Sequence, residues 1–130
     1  MTVNGTQLGS GNYFTFTSPC DRQAGKSVSF WFNWDGTAAT QNPYTEIHAS
    51  SNDYIQISSA GVATLYVDGV AASPTYTVTA GTTYYNELTW SGASGTCKWY
   101  ICPQGSTPSA AQASRTYGAE SSTGCAIGAT

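Results

Sequence analysis

Glu46 and His48 stand at alternate positions in what reads as a single strand, so their side chains share one face. A carboxylate and an imidazole placed together could do acid–base work. No second histidine, Gly-rich phosphate loop or Ser–His–Asp order accompanies them, and the adjacent Asn42-Pro43 turn signal favours a solvated strand face instead. The pair is therefore expected to be ordinary surface, and the chain non-enzymatic. A second set of residues suits binding better. Exposed aromatic faces stack on sugar rings while amides bond hydroxyls, and Trp31, Tyr66, Tyr85 and Tyr100 with Asn33 and Asn86 could form such a surface. The same aromatics would equally serve sheet rims and contacts between subunits.

Four cysteines, Cys20, Cys97, Cys102 and Cys125, are the third reactive set. Cys97 and Cys102 lie on one expected strand an odd number of positions apart, so they point to opposite faces and should not pair with each other. Their disulfide partners would be Cys20 and Cys125, in either order; free buried thiols are the alternative. Zinc is not indicated, because tight Cys clusters are missing and His48 is the single histidine.

The elements that must hold these residues are strands. Turn signals arrive about every ten residues, at sites such as Gly9-Ser10-Gly11, Asp35-Gly36, Ala60-Gly61, Asp68-Gly69 and Ala80-Gly81. Between them lie short runs rich in Val, Ile, Thr, Tyr, Phe and Trp, with no strong helical period. In Ser27 to Asp35, Val28, Phe30, Phe32 and Trp34 alternate with Ser27, Ser29, Trp31 and Asn33, which puts the first set in the core and leaves Trp31 on the polar side. Ile55, Ile57, Leu65, Val67, Leu88, Trp90, Trp99 and Ile101 should also face inward, and Tyr66, Tyr85 and Tyr100 outward. Asp68-Gly69 reads as a two-residue type I′ hairpin turn. Pro103 to Gly124, dominated by Ser, Ala, Thr, Gly and Pro, is expected as a long loop holding at most a short helix over Thr107 to Ser114, before a last strand at Cys125 to Gly128.

With 130 residues, the whole reads as one domain of a β-sandwich or jelly roll. Charged residues are 8% and the net charge is −3, with Arg22, Lys26, Lys98 and Arg115 dispersed, so no basic patch exists for nucleic acid. The longest apolar run falls well short of the ~18 residues a membrane helix needs, and Met1 to Asn12 lacks the basic start and apolar core of a signal peptide.

The strand Ser29-Phe30-Trp31-Phe32, the strand and turn Glu87-Leu88-Thr89-Trp90-Ser91-Gly92, the strand Trp99-Tyr100-Ile101 and the late Ala126-Ile127-Gly128 resemble, in order and spacing, the laminin-G/concanavalin A-like lectin superfamily. Asn86 departs from that pattern by standing at an apolar position. The resemblance implies a concanavalin A-like antiparallel sandwich whose members mostly bind. The glycoside hydrolases among them carry an E-x-D-x-x-E strand, and this chain has none. The resemblance also raises calcium, for which Asp35, Asp53 and Asp68 lie in turns where oxygen ligands collect. Turn geometry alone equally explains them, so no cofactor is expected. The expected role is a structural virion component, a capsid decoration or cement protein touching neighbouring subunits; the alternative is a carbohydrate-binding module of an extracellular protein.

Overall fold

The structure is a computed structural model that describes residues 13–16, 22, 25–36 and 39–128. All regular elements among these are strands: β1 (Tyr13–Phe16), β2 (Lys26–Asn33), β3 (Gln41–His48), β4 (Asp53–Ile57), β5 (Val62–Val67), β6 (Val70–Ala71), β7 (Tyr76–Thr77), β8 (Thr83–Trp90), β9 (Gly95–Pro103), β10 (Ala113–Tyr117) and β11 (Ser122–Gly128). They form two antiparallel sheets. The larger runs β1-β11-β3-β4-β5-β6, with β7 also paired to β5; the smaller runs β10-β9-β8-β2. Together they make an antiparallel β-sandwich, and one core cluster takes residues from both sheets.

Alternation produces this arrangement. Along β8 every second residue is buried, so Tyr84, Asn86, Leu88 and Trp90 face the core, while Thr83, Tyr85, Glu87 and Thr89 face out. β9 answers with Cys97, Trp99 and Ile101, and β4 and β5 with Ile55, Ile57, Leu65 and Val67, as expected. The polar Asn86 fits because its Oδ1 accepts a hydrogen bond from Trp99 Nε1 at 2.9 Å, with both residues fully buried. β8 and β9 form the anticipated hairpin, with Leu88 opposite Trp99. Asp68 and Gly69 both adopt positive φ, +53° and +68°, and join β5 to β6 as a type I′ signal requires.

Two local expectations change. Asn42-Pro43 is not a turn: it lies inside β3, where the register to β4 shifts between Gln41 and Tyr44. Proline cannot donate to the ladder, and such an irregularity is where a strand tolerates it. Pro103 to Gly124 is not one long loop. It ends β9, contains β10 and begins β11, with no helix. Ala113, Arg115 and Tyr117 share one face of β10, with Arg115 half-buried between the two buried residues and Ser114 and Thr116 exposed, so its alternation is too weakly apolar to stand out in the sequence.

Gly61 sits where the chain turns into β5 with φ +74°, and a Cβ there would lie 2.7 Å from the Trp34 ring and 2.8 Å from the Val78 carbonyl oxygen. Gly81 has a similar φ of +76° with nothing within 4 Å of its would-be Cβ. Gly61→Ala is therefore expected to lower stability by about 2–4 kcal/mol, from backbone strain plus overpacking, against about 1 kcal/mol for Gly81→Ala. Urea unfolding of both variants checks this; equal losses would mean that Trp34 does not pack against the turn.

Candidate functional site

The outward face of the small sheet gathers most of the aromatic and amide residues singled out from the sequence. Trp31 on β2 lies opposite Tyr85 on β8, with ring centroids 5.2 Å apart and planes tilted by 58°. Trp31 is 54% exposed, whereas Tyr85 and Tyr100 are half-buried. Asn33 lies opposite Thr83 and donates from Nδ2 to its Oγ1 at 3.1 Å. The Tyr85 hydroxyl donates to Glu87 Oε2 at 3.2 Å, and Glu87 stands opposite Tyr100 on β9. Burial and the neighbouring Glu87 charge raise the Tyr85 pKa, so its hydroxyl remains a donor. Tyr66 is on the other side of the molecule. It faces outward from the large sheet and stacks on Tyr54, centroids 4.5 Å apart and planes at 10°. Asn86, the remaining amide, belongs to the core.

The Glu46–His48 pair departs most from expectation. It is not a solvated face: β3 turns Tyr44, Glu46 and His48 into the sandwich and leaves Ile47 exposed. Asp53, in phase with Ile55 and Ile57 on β4, points the same way. Arg22 closes the group. Its guanidinium meets Asp53 through Nε at 3.2 Å and Nη2 at 2.7 Å, pairs with Asp68, donates to the Gly118 carbonyl at 2.9 Å and lies 4.7 Å from the centroid of the Tyr117 ring. Asp53 Oδ1 also accepts the Asp68 backbone N–H at 2.9 Å. The Tyr44 hydroxyl donates to Glu46 Oε2 at 2.8 Å. His48 Nε2 stands 3.4 Å from Asp53 Oδ2 and 3.7 Å from Glu46 Oε1.

The electrostatics follow from this geometry. Burial pushes the Glu46 carboxyl up to about 7, although the Tyr44 hydrogen bond and the His48 charge oppose it. Burial would also raise Asp53, but the adjacent His48 and hydrogen bonds from Arg22 and the Asp68 amide hold it below the ordinary carboxylate value. Burial works against charging His48 and Arg22; the carboxylates beside His48, and the hydrogen bonds and carboxylates around Arg22, reverse this and raise both. Asp53 and Asp68, two of the three carboxylates that suggested calcium, are both engaged by Arg22.

Arg22 and Tyr117 carried no sequence signal, since neither sits in an alternating run of apolar residues. Asp53 did carry one: its place two residues before Ile55, in phase with the inward set, marks it as buried.

The cysteines do not form the expected bridges. Cys97 and Cys102 do point to opposite faces of β9, but no disulfide joins any two of Cys97, Cys102 and Cys125. Cys97 faces the core from the small sheet and Cys125 from the large one, opposite Glu46. Facing sheets stand ~10 Å apart, beyond the ~7 Å between Cα atoms that a disulfide spans. The Cys102 thiol donates to the Ser106 carbonyl at 3.3 Å. Burial, reinforced by the charges of Asp53 and Glu46, pushes the Cys97 thiol far above its usual value, so it stays protonated and unreactive. Cys20 lies outside the described residues.

No protein-family model and no curated protein matches the chain. Among solved structures, the native heptameric SAP-like pentraxin from Limulus polyphemus aligns with a TM-score of 0.45 and 16% identity, over 97% of this chain and 71% of that one.

Because Arg22 is buried between two aspartates, Arg22→Met would strand their charges. It is expected to lower stability by about 3–5 kcal/mol, whereas Arg115→Met, at a half-buried residue whose one long hydrogen bond to the Ala71 carbonyl lies in solvent, should change it by under about 0.5 kcal/mol. Denaturant melts of the two variants test this, and similar losses in both would remove Arg22 from its central role.

Proposed function

We propose that the chain is a non-enzymatic binding module that engages carbohydrate through the outward face of its small sheet. One observation carries this reading: Trp31 is exposed on a sheet face beside Tyr85, among Asn33, Thr83, Glu87 and Tyr100. An indole presents a flat apolar surface to the face of a sugar ring, and the amide, hydroxyl and carboxylate around it can bond hydroxyls at the ring's edge. The sheet fixes these groups before the ligand arrives, which limits the ordering cost of binding. The non-enzymatic part is supported by the burial of Glu46 and His48, whose side chains have no exposure through which a substrate could reach them.

A second reading has its own support. β2, which carries Trp31, is an edge strand of the small sheet and runs for eight residues, Lys26–Asn33. A long edge is a template for pairing with another chain. On this reading the face meets a neighbouring protein subunit, as in the surface layer of a virus particle. Either role places the chain outside a cell, on a virion or in an extracellular fluid.

A glycan array followed by titration calorimetry separates the two. Carbohydrate binding predicts a hit that Trp31→Ala weakens at least about tenfold, since loss of a central tryptophan contact costs roughly 1.4 kcal/mol or more. Tyr66→Ala, on the opposite sheet, should leave the affinity unchanged. An array without hits, together with a self-associated species in sedimentation that Trp31→Ala disperses, would replace the carbohydrate with a protein subunit.

A further inference from the structure

Three features of the buried cluster remain unexplained by its role in holding the sheets together. First, among the described residues neither Glu46 Oε1 nor either ring nitrogen of His48 has a hydrogen-bond partner, although both side chains are fully buried. Orphaned polar atoms inside a core are costly, and each calls for a partner. Second, their spacing is wrong for hydrogen bonds and right for shared coordination. His48 Nε2 lies 3.4 Å from Asp53 Oδ2 and 3.7 Å from Glu46 Oε1, and the three donor atoms fall within 4.8 Å of one another. Ligands at ~2.0–2.1 Å from one ion in tetrahedral directions stand ~3.4 Å apart. Third, the one guanidinium of Arg22 is engaged by Asp53 and Asp68, whereas Glu46 makes no ion pair with it, so Glu46 and Asp53 together bring more carboxylate to His48 than Arg22 answers.

We propose that Glu46 Oε1, His48 Nε2 and Asp53 Oδ2 form a buried binding site for a divalent transition cation, zinc by its donor set. Imidazole nitrogen with carboxylate oxygen suits zinc, whereas calcium takes six to eight oxygens and has no use for the histidine. Arg22 then acts as the outer partner that holds the Asp53 carboxylate in orientation, as hydrogen-bonded neighbours do around metal ligands. Tyr44 does the same for Glu46 through its hydroxyl. The site lies between β3 and β4 on the inner face of the large sheet, so the ion enters as the chain folds and its affinity adds to folding stability. It is separate from the outward face of the small sheet and needs no carbohydrate.

The test is refolding. The full chain is unfolded in urea with chelator and reductant, then refolded with zinc, cobalt, calcium or no added metal, desalted, and assayed for bound metal and melting temperature. The proposal expects one zinc retained per chain, a melting midpoint raised by about 5 °C or more over the metal-free protein, and visible d–d absorption with cobalt. Glu46→Gln, which keeps the side-chain shape and an acceptor for Tyr44, and His48→Gln should each lose the retained zinc and the midpoint shift. Folded wild-type protein that retains no zinc overturns the proposal, leaving protons to close the cluster. Retention undiminished in the Glu46→Gln/His48→Gln double variant also overturns it, because the metal would then sit on the cysteines. Retention of calcium in preference to zinc overturns the assignment of the donor set.

Discussion

The guanidinium of Arg22 ties the β4–β5 part of the large sheet to the end of β10 in the small sheet, which no strand ladder joins. Its bond to Asp53 fixes the start of β4, its pairing with Asp68 fixes the turn between β5 and β6, and its donation to Gly118 fixes the connection from β10 to β11. Tyr117 lies under the cation at the end of β10, so the small sheet is held to the same point. Strand ladders can align neighbours within each sheet but do not set how one sheet sits over the other. Apolar packing brings the sheets together without direction. A buried cation with fixed donors supplies direction, since each displaced partner would be left as an uncompensated charge.

That arrangement explains why β3 looks inverted. Ile47 is exposed while Glu46 and His48 are buried, the reverse of what solvation alone prefers. A one-residue slip of β3 against β4 and β11 would correct the polarity and expose the charges. It would also part Glu46 and His48 from Asp53 and remove the Tyr44 ring from its stack on Phe30, 5.9 Å between centroids. The inward charges therefore act against the misregistered alternative.

Most of the sandwich could be read from alternation, because Val28 to Trp34, Ile55 to Ile57, Leu65 to Val67 and Leu88 to Trp90 each keep one apolar face. The outward Trp31, Tyr85 and Tyr100 followed from the same rule, and the pairing of β2 with β8 and β8 with β9 brought them onto one face. Tyr66 fell on the other sheet because strand order is a long-range property that periodicity within a strand does not contain. β10 shows no apolar alternation because Arg115 stands between Ala113 and Tyr117 on one face and Ser114 and Thr116 occupy the other. The cluster around Arg22 is hidden for a different reason. Its members lie far apart along the chain and are polar, which by itself signals exposure, and only the phase of Asp53 with Ile55 and Ile57 points inward.

The outward face of the small sheet inherits its precision from the interior. Tyr85 stands opposite Trp31 and Cys102, and Glu87 opposite Tyr100, only in the observed register of β2, β8 and β9. The Asn86–Trp99 hydrogen bond pins that register from within, because the next register along would bury Tyr85 and Glu87 and leave the indole N–H without an acceptor. A buried amide at an otherwise apolar position costs the core some hydrophobic contact. In return, the hairpin has one alignment in which the Trp99 indole N–H meets the Asn86 side-chain oxygen. The same alignment sets the spacing of the aromatic, amide and carboxylate groups outside, so the rigidity of that outward face and the specificity of the core come from a single constraint.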